Sequence, residues 1–143
     1  MNKSIRIGGA SGFWGDSYRA TEQLIQDTTL DFIVYDYLAE ITMSIMARAR
    51  AKSPSAGYAT DFIDAVIKPY IKRISTHNTR LISNAGGVNP EKCAEVISEL
   101  VKDLQLNLKV SCITGDDLMG SAQEIKNMNC KEMFLSLIHI SEP

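Results

Sequence analysis

The fold of this chain is decided by the stretch Leu30-Asp-Phe-Ile-Val-Tyr35. Its last four residues are apolar or aromatic without interruption, which is the pattern of a short strand covered on both faces. A polar turn, Asp36–Glu40, follows at once and leads into a helical pattern that runs to about Ala51. A strand, a turn and a helix in this order form the repeating unit of a parallel α/β sheet.

The same unit recurs on both sides of this stretch. Strand patterns occupy Ser4–Gly8, Arg80–Ser83 and Leu108–Ile113. Each is followed by a turn and then by residues with helical periodicity. The resulting order, β-α-β-α-α-β-α-β-α, predicts a mostly parallel, open doubly wound sheet with alternating helices. The alternative is half of a (β/α) barrel, a fold that needs about 250 residues when complete.

Several helix boundaries have local signals. Asp16 or Ser17 is expected to cap the first helix, and Asn89 followed by Pro90 marks the start of another. Pro69 interrupts a helical pattern that begins at Thr60, so a kink or two abutting segments are expected there. A last helix is predicted from Leu118 to about Met128.

In the second helix, the apolar positions that should form a buried stripe are Leu38, Ile41, Ile45 and Ala49, widened by Met43 and Met46.

Composition excludes several classes of protein. The chain has 143 residues, 45% of them hydrophobic, and a formal net charge of −2. This is typical of one globular domain, and nothing in the charge points to nucleic acid or an anionic membrane as a partner. Three cysteines without a CxxC pair argue against a disulfide framework and a cysteine zinc site. We therefore expect a cytoplasmic protein.

The end of the chain has an unusual sequence, Leu135-Ser-Leu-Ile-His-Ile-Ser-Glu-Pro143. It resembles the translation of a transposon-end adapter used in sequencing libraries. We expect residues 135–143 to be a non-native tail and residues 1–134 to be the N-terminal fragment of a larger α/β domain. The alternative is that the same residues form a native strand with alternating apolar positions.

Each predicted strand is followed by an unusual polar or glycine-rich turn. The four turns are Gly8–Asp16, Asp36–Glu40, Asn84–Pro90 and Thr114–Asp117. Ligands of parallel α/β folds bind outside the carboxyl ends of the strands, which all lie at one edge of the sheet. The turns are therefore expected to converge on one rim and to form the functional site.

The first and third turns contain the candidate ligand-binding residues. Backbone N–H groups near a helix start can hold an anion, and glycines allow a ligand to approach closely. The predicted ligand-binding residues are Gly9, Ser11, Gly12, Asp16, Asn84, Gly86 and Gly87. The simpler interpretation is that these glycines only allow tight turns and bind no ligand. Phe13 and Trp14 either line a pocket or, as expected for most such residues, anchor the loop to the core.

Carboxylates dominate the same predicted rim. Asp36, Glu40 and Asp116 are the candidate catalytic residues, and Asp16 and Asp117 lie in the same turns. Close carboxylates can hold Mg²⁺ or divide into a general acid and a general base. The alternative is that Asp16 and Asp117 cap helices and that the others are solvated. Neither a cofactor nor an oligomeric state is indicated.

Five motifs resemble the AtuA-type acyclic terpene utilisation family in order and spacing, from residue 5 to about 134. They are Ile5–Ser17, Asp36–Glu40 with Arg48–Lys52, Gly57-Tyr-Ala-Thr-Asp61, Ser83–Pro90 and Gly115–Leu118. The resemblance implies a cytoplasmic protein that takes part in breaking down acyclic terpenes through acyl-CoA intermediates. It supplies no catalytic residue that can be carried over.

Two functions follow as hypotheses. The first is an enzyme or enzyme subunit that acts on an acyl-CoA or carboxylate-bearing metabolite, with the anion near the glycines of the first and third turns. The second is a non-catalytic subunit that uses the same rim to bind a metabolite or a partner. Whether the protein is an enzyme is left open by the sequence.

Overall fold

The sheet is open, parallel and three-stranded in the part of the chain that the computed structural model describes, residues 4–27 and 29–128. Its strands are β1 (Ile7–Ser11), β2 (Phe32–Tyr35) and β3 (Arg80–Ser83), in that spatial order. The register aligns Gly8 with Ile33 and Ile33 with Leu81. The predicted open α/β fold is therefore confirmed.

Helices alternate with these strands. They are α1 (Ala20–Leu24), α2 (Glu40–Lys52), α3 (Lys68–His77), α4 (Pro90–Asp103) and α5 (Ala122–Asn127), with a π-helical segment at Phe62–Ile67 and a 3₁₀ turn at Met119–Ser121. The described residues divide after Ile113 into two compact units. The sheet and α1 to α4 belong to the first unit, and α5 belongs to the second.

The first strand begins three residues later than predicted. Ile5 and Ile7 are mostly exposed, and Gly8 and Ala10 are the residues of this segment that face the core. A Cβ on Gly8 would approach Leu24 to 3.0 Å, so the glycine lets the strand pack closely against α1. The first four residues of the predicted turn Gly8–Asp16 therefore belong to β1.

The predicted fourth strand, Leu108–Ile113, is not formed in the described chain. Leu108 and Val110 pack against the hydrophobic core, whereas Ile113 is 92% exposed. Alternating burial alone does not make a strand, because the backbone N–H and C=O groups also need a neighbouring strand.

Pro69 separates two helical segments, as predicted. The π-helical segment runs directly into α3, and Pro69 lies in the first turn of α3, where a missing N–H costs little. The N–H of Lys68 bonds back to the Ile63 carbonyl, the five-residue step of a π turn.

The predicted buried stripe of α2 is right at Leu38 and Met46, which belong to the core, and wrong at Ile41 and Ile45. Ile41 and Ile45 are 70% and 48% exposed, whereas Thr42 and Met46 are the buried residues of this helix. Thr42 is fixed in this orientation because its hydroxyl oxygen accepts from the Ala39 N–H at 2.6 Å and its O–H donates to the Ala39 carbonyl at 2.7 Å. Local capping therefore overrides the apolar periodicity.

The core is centred on the sheet face that carries Ile33 and Tyr35. An aromatic cluster forms part of it, since the Phe62 ring meets Tyr35 and Tyr37 edge-on at centroid distances of 5.3 and 5.8 Å. This cluster lies beneath the carboxyl end of β2. The predicted tail, residues 135–143, lies outside the described residues.

Candidate functional site

Three of the four predicted turns share one edge of the sheet. The register pairs Ser11 with Tyr35 and Tyr35 with Ser83, so β1, β2 and β3 end side by side. The turns that follow them begin at Gly12, Asp36 and Asn84. The fourth turn, Thr114–Asp117, belongs to the second unit and follows no strand there. In the described chain, no strand end places Asp116 at the rim.

Asn84 joins the second and third turns. Its Nδ2 donates to Asp36 Oδ1 at 2.7 Å, and its Oδ1 accepts from the Tyr37 N–H at 2.7 Å. Ser11 adds a link from the first strand by donating its hydroxyl to the Asp36 carbonyl at 3.2 Å. The Asp36 carboxylate is thus exposed but held in place, and the Asn84 amide is engaged within the chain.

The first turn holds a carboxylate of its own. The Gly12 N–H donates to Asp16 Oδ2 at 2.9 Å, and the Asp16 N–H donates to the Phe13 carbonyl at 3.2 Å. The Ser17 hydroxyl accepts from the N–H of Ala20, the first residue of α1, at 3.2 Å, although Arg19 occupies the N-cap position. An external anion at the Gly12 amide would have to displace Asp16. Gly9 lies within β1 with open space around it.

Trp14 anchors this turn to the core, as expected from the sequence. Its ring packs against the core, and its indole N–H donates to Asp61 Oδ1 at 2.5 Å. Phe13 differs, because it is 56% exposed and lines a cleft beside the turn. The two adjacent aromatic residues thus have separate roles.

The cleft lies between the first turn, the end of β2 and the π-helical segment. It is shallow: its enclosed part measures about 10 Å³, room for roughly one water molecule, and the rest is open to solvent. Two carboxylates and no Lys, Arg or His are among the lining residues, which are Ser11, Phe13, Gly15, Asp16, Ser17, Tyr18, Tyr35, Tyr37, Asp61, Ala65 and Val66. The cleft is therefore acidic and aromatic.

Two tyrosines of the cleft stay protonated well above neutral pH. Burial raises the pKa of Tyr35 to about 12, although its hydroxyl is 3.1 Å from Thr21 Oγ1. Burial, followed by the nearby Asp61 carboxylate, raises the pKa of Tyr37 as well. Both hydroxyls are therefore available only as neutral hydrogen-bonding groups.

The glycines of the third turn are surrounded by the chain itself. A Cβ on Gly86 would come within 2.8 Å of Pro90, and one on Gly87 would meet the Met46 sulfur and approach the Gly57 carbonyl to 2.7 Å. Gly87 also has a φ of +54°. Packing within the fold accounts for both glycines, and their predicted contact with a ligand stays a prediction.

Asn89 starts α4 but does not cap it with its side chain. Its Nδ2 instead donates to the carbonyls of Pro54 and Ala56, at 2.9 and 2.8 Å. The buried amide thereby ties the loop between α2 and the π-helical segment to the start of α4.

The other candidate carboxylates lie at the start of α2 and in the second unit. Glu40 is the exposed first residue of α2, and Asp116 is exposed in the second unit. Asp117 accepts from the Met119 N–H at 3.0 Å. Over residues 4–27 and 29–128, no three His, Cys, Asp or Glu side chains are grouped closely enough to hold a metal ion.

Comparison with known protein families identifies the family to which this chain belongs. Residues 5–140 match the family described as acyclic terpene utilisation family protein AtuA. The chain belongs to the AtuA family. No curated protein and no solved structure matches it.

Membership of the AtuA family confirms the resemblance inferred from the five motifs. The matched range reaches into residues 135–143, whose predicted origin as a tail stays a prediction. Within the described ranges, no helix has the length and apolar character required to cross a membrane.

The structure adds three residues to the AtuA site that chemical reasoning from the sequence missed. Asp61 lies in the third of the five family motifs, and Tyr35 and Tyr37 flank Asp36. The motif Gly57–Asp61 was the available signal for Asp61. Periodicity assigned the tyrosines to a strand and a turn, and nothing local indicated that both line a cleft.

Proposed function

We propose that the protein acts on an acyl-CoA or another carboxylate-bearing metabolite during the breakdown of acyclic terpenes, in the cytoplasm. Membership of the AtuA family supports the area of metabolism. The observation that carries the proposal is the cleft at the carboxyl ends of the parallel strands, where α/β folds bind their ligands.

Asp36 is the residue to which we assign acid–base chemistry. It is flanked in sequence by two tyrosines of the cleft, and Asn84 fixes its carboxylate at the rim. Asp36 does not line the cleft itself, so the proposal requires the reacting proton of the substrate to lie at the rim, within hydrogen-bonding reach of this carboxylate. Glu40 is a further candidate, and Gly9, Ser11, Gly12 and Asp16 are the candidates for binding the ligand.

The test is a comparison of binding and turnover. Isothermal titration of the chain with geranoyl-CoA, coenzyme A and inorganic phosphate should give heat with the acyl-CoA. Asp36→Asn should abolish turnover of the acyl-CoA while changing its affinity by less than about twofold. Asp103→Asn, which removes one exposed carboxylate at the end of α4, is the control and should change neither quantity.

A non-catalytic subunit is the second candidate. One observation favours it: the Asp36 carboxylate and the Asn84 amide are bonded to each other, which leaves less of the rim for chemistry. On this alternative the wild-type chain binds the acyl-CoA without converting it. Asp36→Asn should then leave the affinity for the acyl-CoA unchanged.

A further inference from the structure

Two tyrosines of the cleft differ in what their hydroxyls contact. Tyr35 and Tyr37 are 2% and 5% exposed, and their rings stack at a centroid distance of 6.4 Å. The Tyr35 hydroxyl pairs with Thr21 Oγ1 inside the fold. The Tyr37 hydroxyl makes no hydrogen bond to any residue that the structure describes.

The Tyr37 hydroxyl nevertheless reaches open space. Across the described chain, His77 Nδ1 is the one fully enclosed side-chain nitrogen or oxygen without a partner. The Tyr37 hydroxyl is therefore not enclosed, and the space that Tyr37 lines is the cleft. A buried tyrosine whose polar end faces a cleft is suited to donate a hydrogen bond to a molecule there.

The charges of the cleft restrict what that molecule can be. The Asp16 and Asp61 carboxylates line it, and no basic side chain balances them. A phosphate or a free carboxylate would be repelled, whereas a neutral carbonyl group would not. Phe13 and Tyr18, which are 56% and 66% exposed, present aromatic surface to an apolar chain.

We propose that the Tyr37 hydroxyl donates a hydrogen bond to the carbonyl oxygen of a neutral acyl group, a thioester or an ester. The hydrocarbon part of this group lies against Phe13 and Tyr18. The proposal rests on the proposed function, and within it selects the thioester of an acyl-CoA over a free carboxylate. The charged end of coenzyme A stays outside the cleft.

The experiment measures how tightly the chain binds methyl geranate, a neutral ester of an acyclic terpene acid. Tyr37→Phe should weaken binding about fivefold, the effect of losing one hydrogen bond between neutral groups. Tyr58→Phe is the control, because it removes the hydroxyl of a tyrosine that does not line the cleft. It should leave the affinity unchanged within about twofold.

The second part of the experiment compares the binding of ligands that differ in charge. Geranate near neutral pH should bind more weakly than methyl geranate, and coenzyme A alone should not compete with the ester. Equal affinity of the Tyr37→Phe variant and the wild type would overturn the proposal, as would tighter binding of geranate or no binding of the ester at all.

A measurement on the wild-type chain covers the case in which Tyr37→Phe does not fold. With carbon-13 at the ζ-carbons of its five tyrosines, methyl geranate should shift a signal that Tyr18→Phe and Tyr35→Phe both leave in place. The absence of any such shift would reject the proposal.

The two proposals fail in different ways. Binding of the ester that depends on Tyr37, without turnover of any acyl-CoA, retains the carbonyl site and rejects the enzymatic function. If the chain converts an acyl-CoA and Tyr37→Phe leaves this turnover unchanged, the enzymatic function is retained and the carbonyl site is rejected.

Discussion

The side chain of Asn84 holds the carboxylate of Asp36, with 2.7 Å between Nδ2 and Oδ1. The same amide accepts the N–H of Tyr37 through its oxygen. One side chain at the end of β3 thus fixes both the candidate acid–base residue and the backbone of the cleft tyrosine beside it.

Replacing Asn84 by Asp should destabilise this edge of the sheet. The substitution removes the donor to Asp36 and places two carboxylates side by side, so we expect a loss of about 1 kcal/mol in the free energy of unfolding. The loss should shrink as salt is raised, because salt screens repulsion between exposed charges. Urea denaturation at low and high ionic strength measures both effects.

Asn107→Asp is the control for the added charge, since Asn107 is exposed after α4. Equal losses in the two variants would show that the bond between Asn84 and Asp36 contributes nothing to stability.

Gly87 and Gly9, both predicted to bind a ligand, should respond differently to alanine. Gly87→Ala forces a Cβ against Met46 and the Gly57 carbonyl at a positive φ, and should cost about 1 to 3 kcal/mol. Gly9→Ala meets no atom within 4 Å and should leave stability nearly unchanged. Thermal melting of the two variants without any ligand checks this. An unaltered melting temperature for Gly87→Ala would contradict the packing role assigned to that glycine.

The bond between Trp14 and Asp61 can be followed by fluorescence, because the chain contains one tryptophan. Asp61→Ala should release the first turn, so that Trp14 emission shifts to longer wavelength and is quenched more strongly by acrylamide. Asp64→Ala, on the same π-helical segment, removes only an exposed ion pair with Lys68 and should leave the emission unchanged. Identical spectra for the two variants would mean that Asp61 does not anchor the turn.

Stability should fall in alkaline solution. Burial raises the pKa of Cys93 from 9.0 to about 11 and that of Tyr35 from 10.0 to about 12. The folded state therefore holds these protons more tightly than the unfolded state, and their contribution is complete below about pH 9 and lost as the pH rises toward about 12. Urea unfolding between these limits should show a continuous decrease. Cys93→Ala should make the decrease begin at higher pH.

Much of the fold followed from local patterns. The apolar run at β2, the Asn89–Pro90 signal and the position of Pro69 each predicted an element that the structure contains. These signals succeed because a short strand or a helix start depends on neighbouring residues. The fourth strand failed for the opposite reason, since its hydrogen-bonding partner must come from elsewhere in the chain.

The site was predicted less well than the fold. The sequence placed Gly86 and Gly87 near a ligand, but the side chains of Pro90 and Met46 and the Gly57 carbonyl occupy the space beside them. It offered Asn84 as a donor to substrate, but that amide is bonded to Asp36 and Tyr37. A turn rich in glycine and carboxylates has the same sequence whether it binds a ligand or its own chain.

The sequence by itself determined the alternation of strands and helices, and with it the edge at which the first three turns meet. Parallel strands place their carboxyl ends together whatever side chains follow them. Tertiary structure alone decided that Asp16 occupies the Gly12 amide, that Trp14 reaches Asp61 and that Tyr37 lines a cleft. Apart from the local pair of Asp16 and Gly12, these contacts depend on residues far apart in the chain, and the packing that brings them together leaves no periodic trace in the sequence.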